Sequence, residues 1–122
     1  MVRPDDASQF HAAPEFAPNA AWLLWHAAAA RGPHTALLDG TRETSYAELL
    51  GQAAAVAIRL RSSGIAPGDR VGILLPRGAE ATAAFFGILA VGGIAININE
   101  SLRTRQVEHV LGHSGARVLL TD

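Results

Sequence analysis

The sequence predicts an α/β fold of layered βαβ units with a mostly parallel sheet. In residues 44–122, segments with helical periodicity alternate with short apolar segments. Residues 70–75 (RVGILL) form a nearly continuous apolar run, which is typical of a strand covered on both faces. Helical segments of ten or more residues follow such strands, and crossovers of that length join parallel strands.

The amino-terminal third predicts an arm, a helix and a hairpin. Residues 1–18 are rich in proline, alanine and acidic residues without a clear period, so we expect a mobile arm followed by a folded unit over residues 19–122. Asn19 is the expected N-cap of a helix over residues 20–31, which Gly32-Pro33 closes. Asp39-Gly40 then predicts a hairpin turn between short strands at residues 35–38 and 42–44.

The rest of the chain reads as three helices and three strands. Ser45 and Glu48 have the spacing of a capping box, and the apolar stripe that follows predicts a helix closed by Gly64. The helix over residues 79–91 is apolar almost all round, so we expect it to be buried between layers and C-capped by Gly92-Gly93. The remaining predicted elements are the strand 94–98, the helix 103–112 and the strand 117–120.

Composition excludes several kinds of chemistry. The net charge of −1 gives no reason to expect nucleic acid as a partner. Without cysteine there are no disulfides and no thiolate metal sites, and we expect a cytoplasmic protein. All ten basic residues are arginine, so no Schiff-base lysine and no phosphate-loop lysine exists in this sequence. No apolar run is long enough to predict a transmembrane segment.

Few residues qualify as site candidates, and none as catalytic or as a metal ligand. Arg77 follows the strand-ending Pro76, at the edge where parallel sheets bind ligands, and is the candidate for ligand binding. Arg103 and Arg105 could together bind a phosphate or a carboxylate, although a position at the start of a surface helix explains these two arginines better.

Two further pairs have suggestive spacing. His109 and His113 have the i, i+4 spacing of zinc ligands, yet a solvated helix face is favoured because the zincin order of residues is absent. Asn97 and Asn99 alternate with isoleucines, so both should point to one face that meets something polar.

Four blocks in order resemble a known family. Residues 44–49 (TSYAEL), 67–76 (PGDRVGILLP), 89–99 (LAVGGIAININ) and 114–122 (SGARVLLTD) are similar to the start of the adenylate-forming superfamily. Within that superfamily the pattern of residues 96–109 (ININESLRTRQVEH) is most similar to acyl-CoA synthetases and fatty acyl-CoA ligases. Ala90, Ala95 and Asn97 depart from the usual lysine, tyrosine and proline of the third block.

The resemblance implies an activity for the complete enzyme and no activity for this chain alone. It implies ATP, Mg²⁺ and coenzyme A as cofactors of the complete enzyme, with a carboxylic acid such as a fatty acid activated as an acyl-adenylate and passed to the thiol. The family's phosphate loop and catalytic lysines have no counterpart among the 122 residues. We therefore expect an incomplete amino-terminal subdomain, inactive alone, that depends on the remainder of the ligase in cis or in trans.

Other readings of this incompleteness stay open. The chain could be one half of a split ligase completed in trans, or a non-catalytic interaction module. A free-standing flavodoxin-like nucleotide binder ranks last, because no phosphate loop is present. The apolar strand and helix at residues 70–91 also predict exposed apolar surface, and hence association.

Overall fold

A computed structural model describes residues 19–122, so the arm predicted over residues 1–18 lies outside the described residues. The described part alternates helices and strands in the predicted order. The elements are α1 (Ala21–Arg31), β1 (Thr35–Asp39), β2 (Arg42–Ser45), α2 (Tyr46–Ser62), β3 (Arg70–Leu74), α3 (Ala79–Ala90), β4 (Ile94–Asn97), α4 (Thr104–Ser114) and β5 (Val118–Thr121).

The strands form two sheets. β1 and β2 pair antiparallel around the Asp39-Gly40 turn, with a register shift between Thr35 and Leu37, and the predicted hairpin is confirmed. The main sheet has the order β4-β3-β5 and is parallel throughout. The predicted α/β fold with a mostly parallel sheet is therefore confirmed.

Helices cover the central strand β3 from both faces. The chain moves from β3 to β4 through α3 and then back across β3 to β5 through α4. Two crossovers of the same hand in opposite directions place their helices on opposite faces. Val71 and Ile73 are buried in the core that α2 and α3 share. On the other face a Cβ at Gly72 would lie 3.1 Å from Leu111 Cδ2 of α4. The cover predicted for β3 is confirmed.

The predicted capping box begins α2. The Ser45 side chain accepts a hydrogen bond from the Glu48 backbone N–H at 3.1 Å, and the Glu48 carboxylate accepts one from the Ser45 N–H at 2.8 Å. Two of the otherwise unpaired amides at the helix start are thereby satisfied. The apolar side of α2 then faces the core with buried residues Leu49, Ala53, Ala54, Ala57 and Leu60.

Glycines in the left-handed region end both α2 and α3. Gly64 has φ +86°, and the Ile65 N–H donates to the Leu60 carbonyl at 3.0 Å. This six-to-one bond is the mark of a Schellman motif, in which an L-residue with a side chain would be strained at the glycine position. α3 ends in the same way at Gly92-Gly93, as predicted.

Two helix ends differ from the prediction. α1 begins one residue later than predicted, with Ala20 at the N-cap position; Asn19 nevertheless accepts a hydrogen bond from the Ala21 N–H at 2.7 Å. The Asn19 side-chain amide also donates to the Leu89 carbonyl at 3.0 Å, which ties the start of α1 to α3. α4 runs through Gly112 to Ser114, because its left-handed C-cap is Gly115 rather than Gly112.

α3 is enclosed on one side more than on the other. Ala83, Ala84 and Ile88 are buried against α2 and the sheet, whereas Phe85 and Phe86 are only half-buried. The expectation that layers enclose α3 therefore holds for its inner side.

Large apolar side chains also remain exposed on three separate elements. They are Leu23 of α1, Leu38 of β1 and Ile94 of β4. Within residues 19–122, none of the helices has the length and apolar character that crossing a bilayer requires.

Candidate functional site

The order of the strands creates a crevice at one edge of the main sheet. β3 and β4 are parallel neighbours, but the chain leaves β3 toward the α3 face and leaves β4 toward the α4 face. The two connections therefore diverge at the carboxyl ends of these strands. In open α/β sheets this divergence is where ligands bind.

The structure contains an open cleft at that position, with a volume of about 660 Å³. Its walls come from the end of β3, the start of α3 and the loop after β4. The cleft is lined by Ile73, Leu75, Arg77, Ala81, Asn97, Ile98, Asn99, Glu100 and Ser101. We refer to it as the switch-point cleft.

Arg77 borders the switch-point cleft, as its position after the β3 strand predicted. Pro76 follows β3, and Gly78 then precedes α3, so Arg77 lies in the short connection between the two elements. Its side chain is exposed and, among residues 19–122, makes no hydrogen bond or ion pair. It also borders two smaller depressions around the amino end of α3. Arg77 is the one cationic residue among those lining the cleft.

The two asparagines of the ININ segment also border the cleft. β4 ends at Asn97, and the buried Ile98 separates it from Asn99. Asn99 forms an Asx turn, because its Oδ1 accepts hydrogen bonds from the Ser101 N–H at 2.9 Å and the Ser101 hydroxyl at 2.8 Å. Both asparagines are exposed, so their common face is the wall of an open cleft rather than a buried polar layer.

The remaining candidates lie on the solvent side of α4. Arg103 and Arg105 are exposed at its start, where the Gln106 side chain accepts a hydrogen bond from the Arg103 N–H at 2.9 Å. The rings of His109 and His113 are both exposed and stack with centroids 5.8 Å apart. In the part of the chain that the structure describes, no three His, Cys, Asp or Glu side chains form a group that could hold a metal ion.

Asp69 is a residue whose role the sequence analysis missed, since it appears there only within the block of residues 67–76. Its carboxylate accepts hydrogen bonds from the Ala66 N–H at 2.8 Å and from Arg117 Nη1 at 3.0 Å. Its backbone carbonyl accepts the Ile94 N–H at 2.8 Å. Asp69 thus joins the amino ends of β3, β4 and β5. An aspartate directly before a buried strand was the signal that could have revealed it.

Two carboxylates are shifted toward their charged form. The pKa of the Asp69 carboxyl is lowered chiefly by the hydrogen bond from the Ala66 backbone; burial opposes this shift, and the nearby Arg117 guanidinium adds to it. The pKa of Glu80 is lowered by its own backbone N–H and by Arg42, whose guanidinium lies 3.1 Å away. The Arg42–Glu80 pair joins the hairpin to the start of α3, and both side chains are more than half exposed.

The donors around the switch-point cleft do not fit a metal-bound triphosphate. Arg77 is its cation and Glu100 its carboxylate, and the sequence holds no lysine. Binding a triphosphate with Mg²⁺ requires several converging donors and oxygen ligands. What the described residues offer is an open cleft with one cationic side chain and one carboxylate in its lining.

Sequence comparisons relate the chain to known proteins. The AMP-binding enzyme family matches residues 24–122. The chain is 35% identical over 91 residues to 3-hydroxybenzoate–CoA/4-hydroxybenzoate–CoA ligase of Thauera aromatica, which covers 75% of this chain and 17% of the ligase. It is 34% identical over 88 residues to syringomycin synthase SyrB1 of Pseudomonas syringae pv. syringae, covering 72% of this chain and 14% of the synthase.

A solved structure extends the comparison to the fold. The N-terminal domain of FACL13 from Mycobacterium tuberculosis is similar at a TM-score of 0.80 and 30% identity, with 86% of this chain and 27% of that chain covered. The chain therefore spans less than a fifth of the length of the two curated relatives and about a quarter of the solved domain.

Proposed function

The chain belongs to the AMP-binding enzyme family, and on that premise we propose that it forms the amino-terminal α/β part of a ligase that activates a carboxylic acid as an acyl-adenylate. The observation that carries the proposal is the switch-point cleft, in a fold that resembles the N-terminal domain of a family member. In this proposal the described residues supply one wall of the site. The donors for ATP and Mg²⁺ come from the rest of the enzyme, in cis or in trans.

Coenzyme A is the proposed acceptor of the acyl group. The relative from Thauera is named as a CoA ligase, which supports a thioester-forming enzyme of the acyl-CoA synthetase type. A carrier-protein thiol is the second candidate, because adenylation domains of nonribosomal peptide synthetases are also among the relatives. Both candidates share the first half-reaction. A carboxylate oxygen attacks the α-phosphorus of ATP, and the bond from that phosphorus to pyrophosphate breaks. We propose a fatty or an aromatic carboxylic acid as the substrate.

Arg77 is proposed to bind an anionic group of a substrate at the cleft. Its guanidinium is exposed and lacks a partner among the described residues, so no existing ion pair has to break when an anion binds. Arginine matches the planar geometry of carboxylates and phosphates through two parallel hydrogen bonds. This side chain orients the substrate and supplies no proton to the reaction.

The activity test uses exchange of labelled pyrophosphate into ATP. The 122-residue chain is assayed alone and after co-production with the Thauera ligase from which the 91 aligned residues have been removed. We expect no exchange by the chain alone and hydroxybenzoate-dependent exchange by the complex. Exchange by the isolated chain, or an assembled complex without exchange, would contradict the proposal. Formation of hydroxybenzoyl-CoA by the same complex tests the acceptor.

The Arg77 assignment is tested in that complex with R77Q. Loss of one charge-assisted hydrogen bond is worth roughly 1.5–3 kcal/mol, so we expect the KM for one substrate to rise about 10- to 100-fold. The substrate whose KM rises, among the acid, ATP and coenzyme A, identifies the anion. R42Q is the matched control, since Arg42 is already paired with Glu80 outside the cleft. Equal KM values in the two variants would exclude Arg77 from binding.

A further inference from the structure

Two histidines lie on the outer side of α4, one helical turn apart. Val107 is buried on the inner side of this helix, and the Leu111 side chain lies against Gly72 of β3. His109 and His113 each follow one of these inner residues by two positions, which turns a side chain by about 200° around a helix. Both imidazole rings are exposed, and their centroids are 5.8 Å apart. The pair therefore presents nitrogen donors to solvent on one helix face.

The separation of the two rings is close to that of imidazoles sharing one metal ion. A metal–nitrogen distance of about 2.0–2.1 Å places two such ring centres roughly 4.5–5 Å apart. Exposed side chains can close the remaining gap by rotation about their own bonds. The glutamate order of zincins serves their catalysis, so its absence here does not bear on metal binding alone. Arg105, one turn before His109, opposes a cation, but salt screens charges on an exposed helix face.

The number of available ligands decides which metal fits this pair. Zinc takes four protein ligands in structural sites and three in catalytic sites. Within residues 19–122, no third His, Cys, Asp or Glu side chain joins the two histidines. Cu²⁺ binds nitrogen ligands more tightly than Zn²⁺ does, and it accepts a tetragonal geometry in which water can occupy the other positions. We propose that His109 and His113 form a two-imidazole site for Cu²⁺ on α4.

The proposed ion connects the two ends of the last full turn of α4. That turn contains Gly112, and glycine weakens a helix because it loses more backbone freedom on folding than other residues do. The chelate between residues 109 and 113 requires this turn to be helical, so Cu²⁺ stabilises the folded turn. α4 returns the chain to the amino end of β5, so the site lies toward the edge opposite the switch-point cleft. Cu²⁺ binding is therefore independent of the proposed ligase activity.

Titration of the 122-residue chain with Cu²⁺ at pH 7.5 tests the site, with calorimetry for affinity and electron paramagnetic resonance for nitrogen ligands. We expect H109Q and H113Q each to lose at least about tenfold in affinity, because a direct ligand matters no less than an outer-shell partner. H34Q should bind as the parent does, since His34 is exposed and has no histidine four positions away. E108H/H113Q keeps the number of histidines but makes them adjacent, where they do not face each other, and should bind as weakly as H113Q.

Urea unfolding gives the second measurement. The midpoint of the parent should rise with Cu²⁺ concentration, and that of E108H/H113Q should not. Unchanged far-ultraviolet circular dichroism without metal shows that the variants are folded. The proposal is overturned if H113Q or E108H/H113Q binds Cu²⁺ as tightly as the parent, or if the parent midpoint does not rise. Binding of half an ion per chain, with formation of dimers, would assign the two imidazoles to different copies and would also overturn it.

Discussion

Single side chains hold the amino end of the main sheet, on the side opposite the switch-point cleft. Asp69 joins three strands through its carboxylate and its backbone carbonyl, and Arg117 reaches it from the start of β5. Because a carboxylate that accepts hydrogen bonds has its charged form stabilised, the lowered pKa of Asp69 reflects this role. These hydrogen bonds link the three strands at their amino ends and favour the observed register of the sheet.

The Asp69 interaction predicts a specific dependence on acid. A group whose pKa is lower in the folded state stabilises the fold above its unfolded pKa, and that contribution is lost as pH falls through the folded pKa. We therefore expect D69N to be less stable than the parent at pH 7, with the difference shrinking below about pH 4. Urea unfolding between pH 7 and pH 3 measures both. E108Q removes an exposed carboxylate of α4 and serves as control; a D69N deficit independent of pH would contradict the assignment.

At the level of elements, the contact between α2 and α3 determines how closely the helical layer packs on the sheet. A Cβ at Gly87 would lie 2.7 Å from the Ala53 carbonyl oxygen and from the Val56 side chain. Contacts that short do not occur at real Cβ atoms, so the two helices approach each other only because position 87 has no side chain. Gly51, on α2, has open space where its Cβ would be.

Alanine substitutions at these two glycines should therefore have opposite effects. G87A forces the helices apart and should cost about 1–3 kcal/mol of unfolding free energy, as overpacking of a core does. G51A adds no clash and reduces the freedom of the unfolded chain, so a gain of about 0.4–1 kcal/mol is expected. Urea midpoints with unchanged slopes give both values. A neutral or stabilising G87A would show that α2 and α3 separate at little cost.

Local signals predicted most elements, and long-range contacts account for what was missed. Neighbouring residues alone predict the Ser45 capping box, the helix ends at Gly64 and Gly92, and the Asp39-Gly40 hairpin. The structure contains each of these features. Asp69 was missed because its partner Arg117 lies 48 positions away, and no local pattern reports such a pair. The position of Arg77 beside the cleft followed from strand order alone. Its ligand did not, because one exposed guanidinium does not by itself specify which anion binds.

For the molecule as a whole, one hydrophobic cluster connects the first helix to the main sheet. Leu24 and Trp25 of α1 belong to the same buried cluster as Val71 and Ile73 of β3, with α2 and α3 between them. The indole N–H of Trp25 is buried without an acceptor in the described part of the chain, so apolar packing alone places this ring. A shared core of this kind predicts that α1 unfolds together with the sheet and not as a separate helix.

The two tryptophans of the chain make that prediction measurable. W22F removes a half-buried ring that packs on His26 and leaves Trp25 as the single fluorescent reporter of α1. In W22F we expect the red shift of Trp25 emission and the loss of far-ultraviolet circular dichroism to coincide in urea. W25F keeps only Trp22 and controls for local changes at the surface of α1. If Trp25 becomes exposed at lower urea than the helical signal is lost, α1 is a separable unit, and the described residues do not unfold as one cooperative core.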